Sequence, residues 1–116
     1  MAVRVARVYD ERQPDDGRRV LVDRLWPRGI RRDDERIDEW LPNVAPSTEL
    51  RRWYGHDVDK SDEFAQRYAS ELSDDAHRAT FDALRDATMK QAVTLVTATT
   101  DVEHSQATVL AELLDG

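Results

Sequence analysis

A chain of 116 residues, 40% hydrophobic and 35% charged, has room for one domain with a real core and too little for two. It has no cysteine, which excludes disulfides, thiolate metal sites and thiol nucleophiles, and no stretch approaches the roughly 18 apolar residues of a membrane span. The net charge of -7 opposes a phosphate backbone and so disfavours nucleic acid as a partner. The start, Met1 to Tyr9, carries two arginines and no long apolar region, so no membrane or secretory address is expected and the cytoplasm is the default compartment.

Val3 to Tyr9 reads as a first strand, interrupted by Arg4 and Arg7. Asp10 to Gly17 is a loop: Pro14 presets one turn dihedral, and Asp16-Gly17 suits a turn needing positive φ. Val20-Leu21-Val22 follows as a short strand apolar on both faces, stopped at Pro27. If these two strands pair directly across so short a connection, they are antiparallel. The charge run Ile30 to Arg36 is a solvated excursion. Ile37, Trp40 and Leu41 have helical spacing, which gives one turn or an irregular piece before Pro42.

A helix then opens at Ser47 as cap and closes at Gly55. A second runs from Ser61 to Leu72 with Phe64, Tyr68 and Leu72 as its buried stripe, and a third from Asp75 to Met89 with His77, Phe81, Leu84 and Thr88 on one side. Ala92 to Ala98 is the best strand by propensity. Thr100-x-x-Glu103 matches a capping box, opening a last helix with Ala107, Leu110, Leu113 and Leu114 inward. Helices between the second and third strands make a parallel crossover. The expected fold is a single α/β domain with a small, mostly parallel sheet of about three to four strands, flanked by helices and covered on both faces.

Function is expected at Val20 to Gly29, where an apolar strand gives way to Asp23, Arg24, Trp26 and Arg28, because ligands in open α/β sheets gather at carboxyl ends of strands. Residues 1–32 hold nine arginines against five acids (+4), and residues 33–116 hold eight bases against nineteen acids (-11). The early arginines either pair with acids inside the fold or form a local anion site. In the first reading Asp23 and Arg24 belong to a structural ion-pair network with Arg28 or the Arg51-Arg52 pair. In the second, Arg24 and Arg28 supply forked donors to an anion and Asp23 orients one of them.

His56, at the exit of the Ser47 helix beside Asp57, is a candidate acid or base, or a plain turn residue. His56 and Asp23 form the candidate catalytic set. Arg24, Arg28, Ser47, Arg51, Trp26 and His104 form the candidate ligand-binding set. Ser47 is first of all a cap, but its helix N-terminus suits an anion. Trp26 can stack on a planar ligand or on Arg28, and His104 faces the end of the third strand. Glu71 shares a face with Tyr68 and calls for an arginine partner. No metal spacing stands out among His56, His77 and His104, and no cofactor is specified.

Val20-Leu21-Val22-Asp23-Arg24-Leu25-Trp26-Pro27-Arg28-Gly29, Ala45-Pro46-Ser47-Thr48-Glu49-Leu50-Arg51, the aromatic-Gly55-His56 step, Phe64-x-x-x-Tyr68-x-x-Glu71-Leu72 and Val93-Thr94-Leu95 together resemble the YeaO-like branch of the domain-of-unknown-function family numbered 488. The resemblance covers nearly the whole chain. It implies a small α/β domain of bacteria and archaea, sometimes joined to regulator domains, with Asp23 and the motif arginines lining a shared cleft; it implies no settled biochemical role. Family members commonly carry an Asn-His-Ala step after the last strand, where this chain has Ser105-Gln106-Ala107 with His104 shifted upstream. A broader branch carries Cys-His-Arg there, and the strand-Asp-x-Arg pattern is similar to rhodanese-like domains, whose sulfur chemistry a chain without cysteine cannot perform.

The functional expectation is an arginine-rich cleft that binds an anionic small molecule, a phosphate or carboxylate, with His56 available for catalysis. The alternative is a non-catalytic regulatory or protein-binding module in which the same charges serve structure. Oligomeric state is left open.

Overall fold

Val93–Thr97 is buried along its whole length, which a strand achieves only with neighbours on both edges and cover on both faces. In the computed structural model, which describes residues 3–55 and 57–115, this segment is β4, flanked by β1 (Arg4–Arg7) and β2 (Arg18–Leu21), with β3 (Glu39–Trp40) beyond β2. All pairings are parallel, in the order β1-β4-β2-β3. The first two strands therefore do not pair, and the antiparallel arrangement expected of direct neighbours does not arise. Residues 8–17 instead carry the chain back along the sheet. Glu39 and Trp40, within the Ile37, Trp40 and Leu41 stretch whose spacing reads as a helical turn, extend the sheet edge because Asp38 and Leu41 donate backbone N–H groups to the Arg19 and Leu21 carbonyls at 2.9 and 3.0 Å.

Side chains alternate across the sheet. Val20, Val22, Val93 and Leu95 face one way and share a core with buried residues of α1 (Thr48–Tyr54), α2 (Ser61–Leu72), α3 (Asp75–Lys90) and α4 (Gln106–Asp115). Leu21 and Val96 face the other way and pack with Val8, Ile30, Trp26 and Trp40. Both faces are covered, one by helices and the other by loops and indoles.

Arg19 anchors the loop-covered face. It is fully buried and donates to Asp16 Oδ2 at 2.7 Å, to the Arg36 carbonyl at 2.6 Å and to the Asp10 carbonyl at 3.0 Å. One guanidinium thus ties the 8–17 connection to the segment leading into β3. Burial pushes the Asp16 carboxyl up, but the Gln13 N–H, the Arg19 guanidinium and Arg4 outweigh it and keep the group below the usual aspartate range. At Gly17 the chain passes so close to β4 that a Cβ would sit 2.2 Å from the Ala92 carbonyl oxygen, at φ +63°; only glycine fits.

The helix signals are mostly local and act as expected. The Ser47 hydroxyl accepts from the Leu50 N–H, and Gly55 closes α1 in the left-handed conformation. The last helix differs. Asp101, not Thr100, caps a 3-10 turn over Val102–His104, and α4 begins only at Gln106, so the Thr100–Glu103 box is not used.

Candidate functional site

The β2 strand ends at Leu21 and the β4 strand at Thr97, side by side, so residues just beyond both meet at one end of the sheet. A cleft of about 600 Å³ opens there, within the range of small-molecule sites. Asp23, Arg24, Trp26 and Arg28 line it from the β2 side, Arg51 and Arg52 from α1, and Ala98, Thr99, Ser105 and Gln106 from the β4–α4 connection.

Asp23 is half-buried at this junction. Its Oδ1 accepts from the Thr97 hydroxyl at 2.7 Å and the Gln106 amide at 2.6 Å, while Oδ2 accepts the Ala98 N–H at 2.8 Å. Burial pushes the carboxyl above the ordinary aspartate value, against the Ala98 N–H, the Thr97 hydroxyl, the Arg51 charge and the Gln106 amide, which all favour the ionised form. Its partners are thus the next strand and the last helix. It does not orient Arg24 or Arg28, as the cradle reading expected.

Arg24 reaches across to the Ala45 and Pro46 carbonyls at 3.2 to 3.4 Å. Among the described residues, no carboxylate lies within 4 Å of the guanidiniums of Arg24, Arg28, Arg51 or Arg52, whereas Arg4, Arg12, Arg18, Arg19 and Arg36 all have acidic partners. Arg7 and Arg32 also have no carboxylate within that distance, but they lie over Tyr9 and over Trp26 and Trp40, outside the cleft. Those around Asp16, Asp34, Asp38 and Glu39 form structural ion pairs, and Arg24 and Arg28 beyond β2, with Arg51 and Arg52 on α1, line the cleft.

The remaining candidates separate. Ser47 is the α1 cap, and its N–H and hydroxyl donate to the two oxygens of Glu71 at 2.8 and 2.5 Å; Glu71 therefore takes a serine where an arginine was expected. It is Thr48, not Ser47, that lines the cleft. Trp26 does not stack on Arg28: its ring packs edge-on to Trp40 at 5.5 Å and lies under Arg32 at 4.7 Å, with its Nε1 bonded to the Ile30 carbonyl at 2.7 Å. His104 turns to Asp101, Nδ1 to Oδ2 2.8 Å, and is not among the lining residues; its carbonyl accepts the Tyr54 hydroxyl at 2.8 Å. His56 lies outside the described residues. Gln106, Thr97 and Arg52 are not among the candidate site residues read from sequence, although Arg52 is named there as an ion-pair partner and Gln106 as part of the step that departs from the family. The structure makes Thr97 the last residue of β4 and Gln106 the first of α4, whereas the sequence reading runs the strand to Ala98 and opens the helix at Thr100.

Among the described residues, no three His, Cys, Asp or Glu side chains converge as a metal site, and no helix is long and apolar enough to cross a membrane.

Comparison of the sequence with known proteins gives a family match. Residues 2–116 match the DUF488-N3i family, described as the inactive DUF488-N3 subclade. The chain is 57% identical over 114 residues to the uncharacterised protein Rv3073c of Mycobacterium tuberculosis, covering 98% of this chain and 94% of that one. It is 40% identical over 114 residues to the uncharacterised protein YeaO of Escherichia coli, covering 98% and 97%. No solved structure matches.

Proposed function

Because the chain belongs to the DUF488 family, in the subclade described as inactive, we propose that it is a binding module whose cleft takes up a small anion without transforming it. The observation that carries this reading is the set of cleft arginines, Arg24, Arg28, Arg51 and Arg52, without a carboxylate partner among the described residues, in a chain of net charge -7. Where acids are this abundant, four guanidiniums lining one hollow with no described carboxylate in contact, though Arg24 also donates to the Ala45 and Pro46 carbonyls, favour a phosphate or carboxylate, which Arg binds through paired N–H donors. Gln106 supports binding without turnover. Its amide is the side-chain partner that α4 presents to Asp23, and an amide neither gives up nor takes a proton near neutral pH.

Thermal-shift measurements test the reading with inorganic phosphate, sugar phosphates and dicarboxylates. A ligand at a hundredfold excess over Kd stabilises by about 2.7 kcal/mol, which raises Tm by about 8 to 14 °C in a domain of this size. The double variant Arg28→Ala/Arg51→Ala, at two exposed positions, should keep the unliganded Tm and lose the response. No response to any anion refutes the reading. Consumption of a bound anion, abolished in His56→Ala, refutes the binding-only part of it.

A further inference from the structure

An anion site does not ordinarily place a carboxylate beside its ligand, since like charges repel. Asp23 nevertheless lines this cleft. Its Oδ1 is saturated by Thr97 and Gln106, while Oδ2 takes only the Ala98 N–H among the described residues. An ionised carboxylate oxygen accepts about two hydrogen bonds, so Oδ2 has capacity for one more, on a residue that lines the cleft. What fills it must be a donor. Four arginines against one aspartate leave the described lining at +3, which opposes an ammonium group and leaves a neutral hydroxyl as the fitting donor. The same charge suits a phosphomonoester, close to -2 at neutral pH, better than a single carboxylate. The volume of about 600 Å³, and apolar lining from Leu25, Pro27 and Phe64, exceed what a bare phosphate would fill and accommodate a carbon skeleton.

We propose that the ligand is a hydroxylated phosphomonoester of sugar-phosphate size, with its phosphate on the cleft arginines and one hydroxyl donating to Asp23 Oδ2. This rests on the anion reading above and adds to it a second, oppositely charged contact that selects among anions.

Isothermal titration at fixed ionic strength compares ribose 5-phosphate with methyl phosphate, which has the same charged group and no hydroxyl, and with ribose alone. In the unaltered protein ribose 5-phosphate should bind at least about tenfold more tightly than methyl phosphate, as expected for a hydrogen bond to a charged acceptor. That ratio should fall at least about threefold in Asp23→Asn, which keeps a weaker neutral acceptor, and approach one in Asp23→Ala. Should Asp23→Ala fail to fold, the Asn variant decides alone. Equal affinities in the unaltered protein overturn the hydroxyl contact and leave the anion reading standing. A ratio unchanged in the Asp23 variants overturns the assignment to Asp23. Ribose binding as tightly as its phosphate, or neither phosphate binding at all, overturns the anion reading and this inference with it.

Discussion

Replacing Arg19 with methionine should be among the most damaging single changes in the chain. Methionine approximates the length of the side chain but offers no donor. It removes the 2.7 Å bond to Asp16, the 2.6 Å bond to the Arg36 carbonyl and the 3.0 Å bond to the Asp10 carbonyl. Asp16 keeps the Gln13 N–H at 2.9 Å and a longer 3.6 Å approach from Arg4, which is itself half exposed. Breaking a buried ion pair on one side costs about 3 to 5 kcal/mol, against a total stability of about 5 to 15 kcal/mol for such a domain. The midpoint of urea unfolding should fall accordingly with the m-value unchanged, and Tm by about 10 to 20 °C. The double variant Asp16→Asn/Arg19→Met buries no orphan carboxylate and should recover part of the loss, with a coupling of about 1.5 kcal/mol or more in the double-mutant cycle. Because Asp16 titrates below its unfolded value, its stabilisation is complete above about pH 4 and is lost as pH falls through the lower folded-state value. Arg19→Met should flatten that acid limb. A cost below about 1 kcal/mol, or a coupling near zero, would refute the role assigned to Arg19.

Gly17→Ala must place a Cβ 2.2 Å from the Ala92 oxygen and should cost more than about 2 kcal/mol, whereas Gly29→Ala, with φ +77° and open space around it, should cost only about 1 kcal/mol of left-handed strain; urea titrations of the two variants compare them directly. Ser47→Ala removes both the α1 cap and a hydroxyl bonded to Glu71 and should lower stability by about 2 to 3 kcal/mol, read by the same titration. Asp23 titrates above its ordinary value, so it destabilises the fold at neutral pH relative to an unperturbed aspartate, and protonation relieves this as pH falls. Asp23→Asn should therefore reduce the pH dependence of Tm on the acidic side of neutrality, measured from pH 4 to 7.

Features decided within a few residues were legible before any coordinates. The Ser47 cap, the Gly55 stop, the Phe64, Tyr68 and Leu72 stripe and the wholly buried β4 strand each follow from propensity and spacing over one or two turns. The β3 strand was not legible, because two residues become a strand only through the partner that accepts their hydrogen bonds. Strand order was hidden for the same reason. The placement of Asp23 at a strand end could be read, but its partners Thr97 and Gln106 lie 74 and 83 residues away, beyond the reach of local pattern. Sequence likewise counted the arginines without sorting them. Whether a guanidinium meets a carboxylate, as Arg19 does, or faces a cleft, as Arg51 does, depends on which chain segments fold against it.

β4, one of the two interior strands of the sheet, is the last of the four described strands to be synthesised. β1 aligns with β4 residue by residue, Arg4 with Thr94 and Arg7 with Thr97, and β2 leans on the same strand from its other edge. Until that stretch leaves the ribosome, β1 has no strand to pair with and β2 has only the two-residue β3, and closing so long a loop slows folding. A growing chain halted before residue 93 should therefore remain protease-sensitive however many of its helices have formed. The floor of the cleft and the scaffold that carries it should appear in a single late event.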